Sequence, residues 1–151
     1  MKLGIGADHR GFELKSAIKE FLEKKGNKVV DFGTNNTEPV DYPSIALQVA
    51  KAVKNRRIKY GIVSCFSGQG MAIAANKVRG VRAAICTDKE LAYYARAHND
   101  ANILVLPAMT IKSKKQWRPI IETFLRTKFE GGRHRRRLKI IKDYEDSAGC
   151  V

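Results

Sequence analysis

The stretch CFSGQGMAIAANK, Cys65 to Lys77, sets a thiol at the end of an apolar run, then a glycine-bearing turn, then a helical pattern. A fold alone does not need a thiol there. Gly68 and Gly70 let backbone N–H groups come close to a ligand, at the positive end of the helix that follows. The same field favours a thiolate. The chemistry on offer is a reactive sulfur beside a cradle for an oxyanion or a phosphate. Taken singly, a cysteine at a strand end is usually a small core residue, and a glycine turn is usually only a turn. Their combination is what points to function.

Two further groups bear chemistry. Asp8 and His9 follow the first apolar run, and His98 and Asn99 follow the fourth helical pattern. His9 and His98 are expected beside ligand-side strand ends. The third histidine, His134, lies in the basic knot RHRRR from Arg133 to Arg137.

These groups must be held by the elements around them, and the pattern alternates. LGIGA (3–7), KVVDFG, YGIVSC, VRAAICT and NILVLP read as strands. Between them, apolar residues recur at helical spacing: Leu14, Ile18, Phe21 and Leu22; then Ala46, Val49, Ala50 and Val53 after Pro43. Gln69 to Lys77 and DKELAYYARAH continue the series. Trp117, Ile120, Ile121, Phe124 and Leu125 mark another helix, which Pro119 is expected to kink or delay. A basic final helix begins at about residue 132, after Gly131–Gly132, with Leu138, Ile141 and Tyr144 on one side. Strands alternating with helices predict one α/β domain over 1–151, its parallel sheet covered on both faces. Ligands of such sheets bind at the carboxyl ends of strands. That rule selects ADHRG, DFGTNN, CFSGQG and TDKE.

Composition narrows the function. With 151 residues, 44% hydrophobic and 29% charged, the chain is an ordinary globular one. No apolar run approaches the ~20 residues of a membrane span. The N-terminus reads as a strand and not a signal peptide. Three cysteines without metal-ligand spacing argue against a disulfide scaffold or a zinc site, and fit a reducing cytoplasm. Cys86 is expected to pack, and Cys150 to be exposed. Lysine and arginine number 29 against 15 acids, a net charge of +14, which attracts anions. Nucleotide motifs fail: Gly4-x-Gly6 is followed by His9 where a third glycine belongs, and no P-loop exists. The arginine knot has no aromatic interleaving, so nucleic acid is not expected.

The motifs ADHRGFELK, VDYP, CFSGQGMAIAANKVRGVRAA, HNDANILVLP and FEGGRHRRR, in this order, resemble the type B ribose-5-phosphate isomerases. Galactose-6-phosphate and allose-6-phosphate isomerases share the pattern. The resemblance implies a Rossmann-like α/β/α sandwich with a five-stranded parallel sheet. It implies a cytoplasmic enzyme of pentose phosphate metabolism, interconverting an aldose phosphate and its ketose without metal or cofactor. It also implies a dimer or tetramer with the site built between subunits. Cys65 would be the base that moves a proton between C1 and C2, and His98 would assist ring opening. Asp8, His9 and Asn99 would contact the sugar. Ser67 and the backbone of Phe66, Ser67, Gly68, Gln69 and Gly70 would bind the enediolate oxygen. Arg133 and Arg137 would hold the phosphate, with His134 a weaker candidate.

Some members use a glutamate base further along the turn; Met71 stands there, so the cysteine variant fits. The family's CGTG is CFSG here, and Met109 stands where many members carry a phosphate-binding arginine. Two alternatives therefore stand beside ribose 5-phosphate: a six-carbon sugar phosphate as substrate, or a protein that binds sugar phosphate or nucleic acid without catalysis.

Overall fold

A computed structural model describes residues 1–148; Cys150 lies outside the described residues. Five parallel strands form one sheet: β1 (Lys2–Ala7), β2 (Lys28–Asp31), β3 (Tyr60–Cys65), β4 (Ala83–Ile85) and β5 (Ile103–Pro107). Six helices accompany them: α1 (Phe12–Lys24), α2 (Tyr42–Lys54), α3 (Gln69–Ala75), α4 (Lys89–Ala97), α5 (Lys114–Arg126) and α6 (Arg133–Ala148). The α/β alternation and the five-stranded parallel sheet are those the sequence predicts.

Alternation along the strands feeds two cores. Leu3, Ile5, Ile62, Leu104 and Leu106 pack with α1, α4 and α5 on one face. Val63, Cys65, Ile103 and Val105 pack with α2 and α3 on the other. The strand glycines belong to this packing. A Cβ on Gly6 would lie 2.7 Å from Ile45 Cγ2, and one on Gly61 2.6 Å from Val49 Cγ1. They are glycine so that α2 can approach the sheet.

The strand order is β2-β1-β3-β5-β4. The chain leaves β1 in one direction to β2 and in the other to β3. The switch in strand order therefore falls between β1 and β3, and their carboxyl ends meet: the Asp8 N–H donates to the Ser64 carbonyl at 3.2 Å. β5 inserts between β3 and β4. TDKE consequently sits at the sheet edge, where Asp88 caps α4 through the Leu91 N–H at 2.8 Å. The loop after β5 takes the place beside Cys65. β4 is shorter than VRAAICT suggests, as suits an edge strand. Pro119 does not delay α5, which starts at Lys114 behind a capping box between Ser113 and Gln116.

One ionic knot holds the turn after β1. Lys15 is 2% exposed and donates to Asp31 Oδ1 at 2.7 Å and to the Thr34 carbonyl at 2.6 Å. Thr34 in turn donates to the Ala7 carbonyl at 2.7 Å. Burial opposes ionisation of Asp31, but hydrogen bonds from Lys15, the Gly33 N–H and Lys19 outweigh it and hold the carboxyl below its usual range. A depressed acid contributes stability above its unfolded value of about 3.9, and that stability is lost as pH falls through the folded value. Lys15→Met leaves the carboxylate only Lys19 and the Gly33 N–H and is expected to destabilise by about 2 kcal/mol at neutral pH. It should also flatten the loss of stability below about pH 4. Denaturant midpoints measured against pH check both effects.

Candidate active site

The site is built from two rims. At the carboxyl rim, Asp8 is buried, and its Oδ1 accepts from the Arg10 and Gly11 N–H groups at 3.0 and 2.9 Å. It thereby builds the turn that presents His9. The Val40 N–H donates to His9 Nδ1 at 3.3 Å, which leaves the proton on Nε2 and free for a ligand. Cys65 ends β3 beside Pro107 and is 5% exposed. Its carbonyl accepts from Ala108, and that of Phe66 accepts from Met109, at 2.9 and 2.8 Å.

The turn from Phe66 to Gly70 has the shape of a cradle. Gly68 has φ +79°, which favours glycine. A Cβ on Gly70 would meet the Tyr42 ring at 2.5 Å, so the tyrosine of VDYP underlies the turn. The Ser67 and Gly68 N–H groups find no acceptor among the described residues. The Gln69 N–H lies 3.4 Å from the Ser67 hydroxyl oxygen, and Gln69 itself is exposed. Phe66 and Met109 project outward, each 47% exposed.

His98, Asn99, Arg133, His134 and Arg137 are not at this rim. His98 caps the C-terminus of α4. Asn99 is exposed, and its carbonyl accepts from Arg82 Nε at 2.9 Å, just ahead of β4. Asn102 accepts from the Gly61 N–H at the start of β3. The expectation that His98 lies at a ligand-side strand end is corrected here. A helix returning to a parallel sheet ends at the amino rim, opposite the thiol. Six-residue β3 separates the rims by about 17 Å. No single small sugar phosphate reaches Cys65 and His98 of one protomer.

The amino rim has its own cluster. The His98 and His134 rings stack at 4.0 Å, with planes 11° apart. Glu130 Oε2 lies 3.6 Å from His98 Nε2 and 3.9 Å from His134 Nε2. Tyr93 donates its hydroxyl to Glu130 Oε1 at 2.8 Å. Burial, and the positive charge of His98, Arg133 and Arg137, hold His134 below the usual histidine range, against Glu130. Among the described residues this is the one histidine, cysteine and carboxylate group close enough to share a metal ion, its donors within 4.8 Å. Arg133 Nε points at His134 Nε2 from 3.5 Å, so a guanidinium faces the lone pair a metal would use. Arg137 is exposed on α6. Sequence reading missed Glu130 and Tyr93; the available signal was an acid four residues ahead of His134 in FEGGRH.

The other described cysteine takes no part. Cys86 is buried, and burial, with Asp88 adding to it, pushes its thiol up to about 12. It stays protonated near neutral pH and packs, as expected. Iodoacetamide at pH 8 is expected to leave Cys86 unmodified in the folded protein and to label it after unfolding, read by peptide mass mapping.

A parallel sheet with a thiol and a glycine turn at its switch point, and imidazoles among arginines on the far rim, is the build of an α/β enzyme. A family model described as Ribose/Galactose Isomerase matches residues 3–141, and the chain belongs to that family. It is a sugar-phosphate isomerase related to the type B ribose-5-phosphate isomerases. A putative sugar phosphate isomerase of Rickettsia conorii is 49% identical, over 91% of this chain and 95% of its own. The ribose-5-phosphate isomerase B structure from Clostridium thermocellum is 47% identical with TM-score 0.95, covering 98% of this chain and 99% of that one. That of Mycoplasma genitalium with bound ribulose-5-phosphate is 41% identical with TM-score 0.90, covering 96% of each. No helix among the described residues is long and apolar enough to cross a membrane.

Proposed function

We propose that this chain interconverts ribose 5-phosphate and ribulose 5-phosphate through an enediolate, in a site shared by two protomers. The observation that carries the reading is the division of the groups between opposite rims. Cys65 and its cradle are on one, and His98 with the arginines is on the other. Bringing both to one substrate needs a second copy, as in a homodimer or a tetramer built as a dimer of dimers. The exposed Ile140, Ile141 and Tyr144 of α6 give such a copy an apolar surface to cover.

In this reading Cys65, as thiolate, takes the C2 proton of the open-chain aldose and returns it to C1, while the proton on O2 passes to O1. The Ser67 and Gly68 N–H groups and the Ser67 hydroxyl hold the oxygen on which charge develops. His98 of the other protomer moves the proton between the ring oxygen and the anomeric hydroxyl as the furanose opens. Glu130, held by Tyr93, orients that imidazole. Asp8, His9 and Asn99 contact the sugar hydroxyls. Arg133 and Arg137 grip the phosphate, so binding energy is supplied away from the reacting carbons. The solved relative with bound ribulose-5-phosphate supports the substrate.

In this reading Phe66, directly after the thiol, and Met109, whose N–H donates to the Phe66 carbonyl, take up space beside the cradle and favour five carbons over six. Turnover of ribose 5-phosphate is expected to exceed that of allose 6-phosphate and galactose 6-phosphate at least ~10-fold in kcat/KM. It should also survive EDTA. A coupled ketose assay on the three sugars checks this, and preference for a hexose phosphate would overturn the substrate assignment.

A further inference from the structure

We propose that Arg10, stacked on Phe66, is an anion anchor on the thiol's own rim that grips the phosphate of the substrate. The proposal deepens the isomerase reading and rests on it for the identity of the ligand. The guanidinium carbon of Arg10 lies 4.9 Å from the centre of the Phe66 ring. Both partners are fixed from below. The Arg10 N–H donates to Asp8 Oδ1 at 3.0 Å, and the Phe66 carbonyl accepts from Met109 at 2.8 Å. Phe66 directly follows the thiol residue and projects outward from it, so the cation stands on the thiol's rim, outward of the buried sulfur.

The guanidinium is exposed, and no carboxylate pairs with it among the described residues. Glu13 and Lys112 share an adjoining cleft of about 200 Å³ with Arg10, yet neither binds it. The contact with the ring leaves the side-chain N–H groups of Arg10 without an acceptor among the described residues. Those donors lie in the guanidinium plane and remain available for two-point contact with phosphate oxygens. The ring thus fixes an otherwise mobile side chain in advance. It also explains why a large apolar residue stands exposed on a polar rim. Arg133 and Arg137 approach from the amino rim of the other protomer, so Arg10 would clamp the same group from the opposite side.

The test uses Arg10→Met, Phe66→Leu, Phe66→Trp and the Arg10→Met/Phe66→Leu double variant of the full chain. Phosphate affinity is read by calorimetry with inorganic phosphate, and KM and kcat with ribose 5-phosphate. Arg10→Met is expected to weaken phosphate binding and raise KM about ten- to a hundredfold, with the loss falling on KM rather than kcat. Phe66→Leu should move both quantities the same way, Phe66→Trp should restore them, and the double variant should be no worse than Arg10→Met. Unchanged phosphate affinity and KM in Arg10→Met would overturn the anchor. So would additive losses in the double variant, because the ring would then act apart from the guanidinium. Phosphate binding that depends on Arg10, in a protein that turns over no sugar phosphate, would uphold the anchor and sink the isomerase reading instead.

Discussion

Cys65→Ala is expected to lower kcat on ribose 5-phosphate by about a thousandfold or more, since a positioned general base contributes roughly 10²–10⁴ and no other base is at hand. Asp8 is the carboxylate at this rim, and its Oδ1 already serves two backbone donors. The cradle survives the change. Its two free N–H groups and the left-handed Gly68 do not depend on the sulfur. Cys65 is buried among α2 and α3 residues, so losing the sulfur costs about 1 kcal/mol of packing, and the variant should remain folded. Steady-state assays, with circular dichroism as the folding control, check the effect. Activity within tenfold of the parent would remove Cys65 as the base.

His98→Asn is expected to separate two steps that ordinary turnover joins. Asparagine keeps polarity and approximate size but moves no proton. Ribose 5-phosphate closes to a furanose, so its conversion should fall about 10²-fold. Ribulose 5-phosphate has its C5 oxygen esterified and stays open. Exchange of its C1 proton with deuterated solvent needs only Cys65 and the cradle, and should persist within about threefold. Both rates follow from NMR on one sample. Equal losses in both would mean that His98 serves the enediolate or the packing of its rim. The second alternative has contacts behind it: the side chain stacks on His134 and faces Glu130. Glu130→Gln separates them. It keeps the shape of the cluster but removes the charge that orients the imidazole, so it should slow ring opening while leaving exchange in place.

The sequence showed the layers readily, because β-runs and helical stripes alternate without interruption and each has one dominant period. It marked the glycine turn too, since a positive-φ glycine and a glycine packed on a tyrosine leave their trace in SGQG. What it did not show was order across the sheet. A linear pattern carries no information that β5 enters between β3 and β4, and that insertion brings Pro107–Thr110, not TDKE, beside Cys65. The position of His98 was misjudged for a related reason. Proximity to a strand in sequence says nothing about which end of the strand is meant, and a helix C-terminus always returns to the amino rim. Glu130 and Tyr93 were missed because their meeting is tertiary, 37 residues apart. The stack of Arg10 on Phe66 was invisible for the same reason: the two residues meet only because β1 and β3 are neighbours.

The shared site is the central claim, and mixing two inactive variants tests it. Cys65→Ala and His98→Asn chains, each assayed alone on ribose 5-phosphate and then unfolded and refolded together, form mixed dimers. In each mixed dimer one site combines the intact Cys65 of one chain with the intact His98 of the other. With random pairing, about a quarter of parental activity should return. A mixture no more active than its two components, although mixed dimers are present by mass spectrometry, would place both residues in one protomer's site and contradict the account.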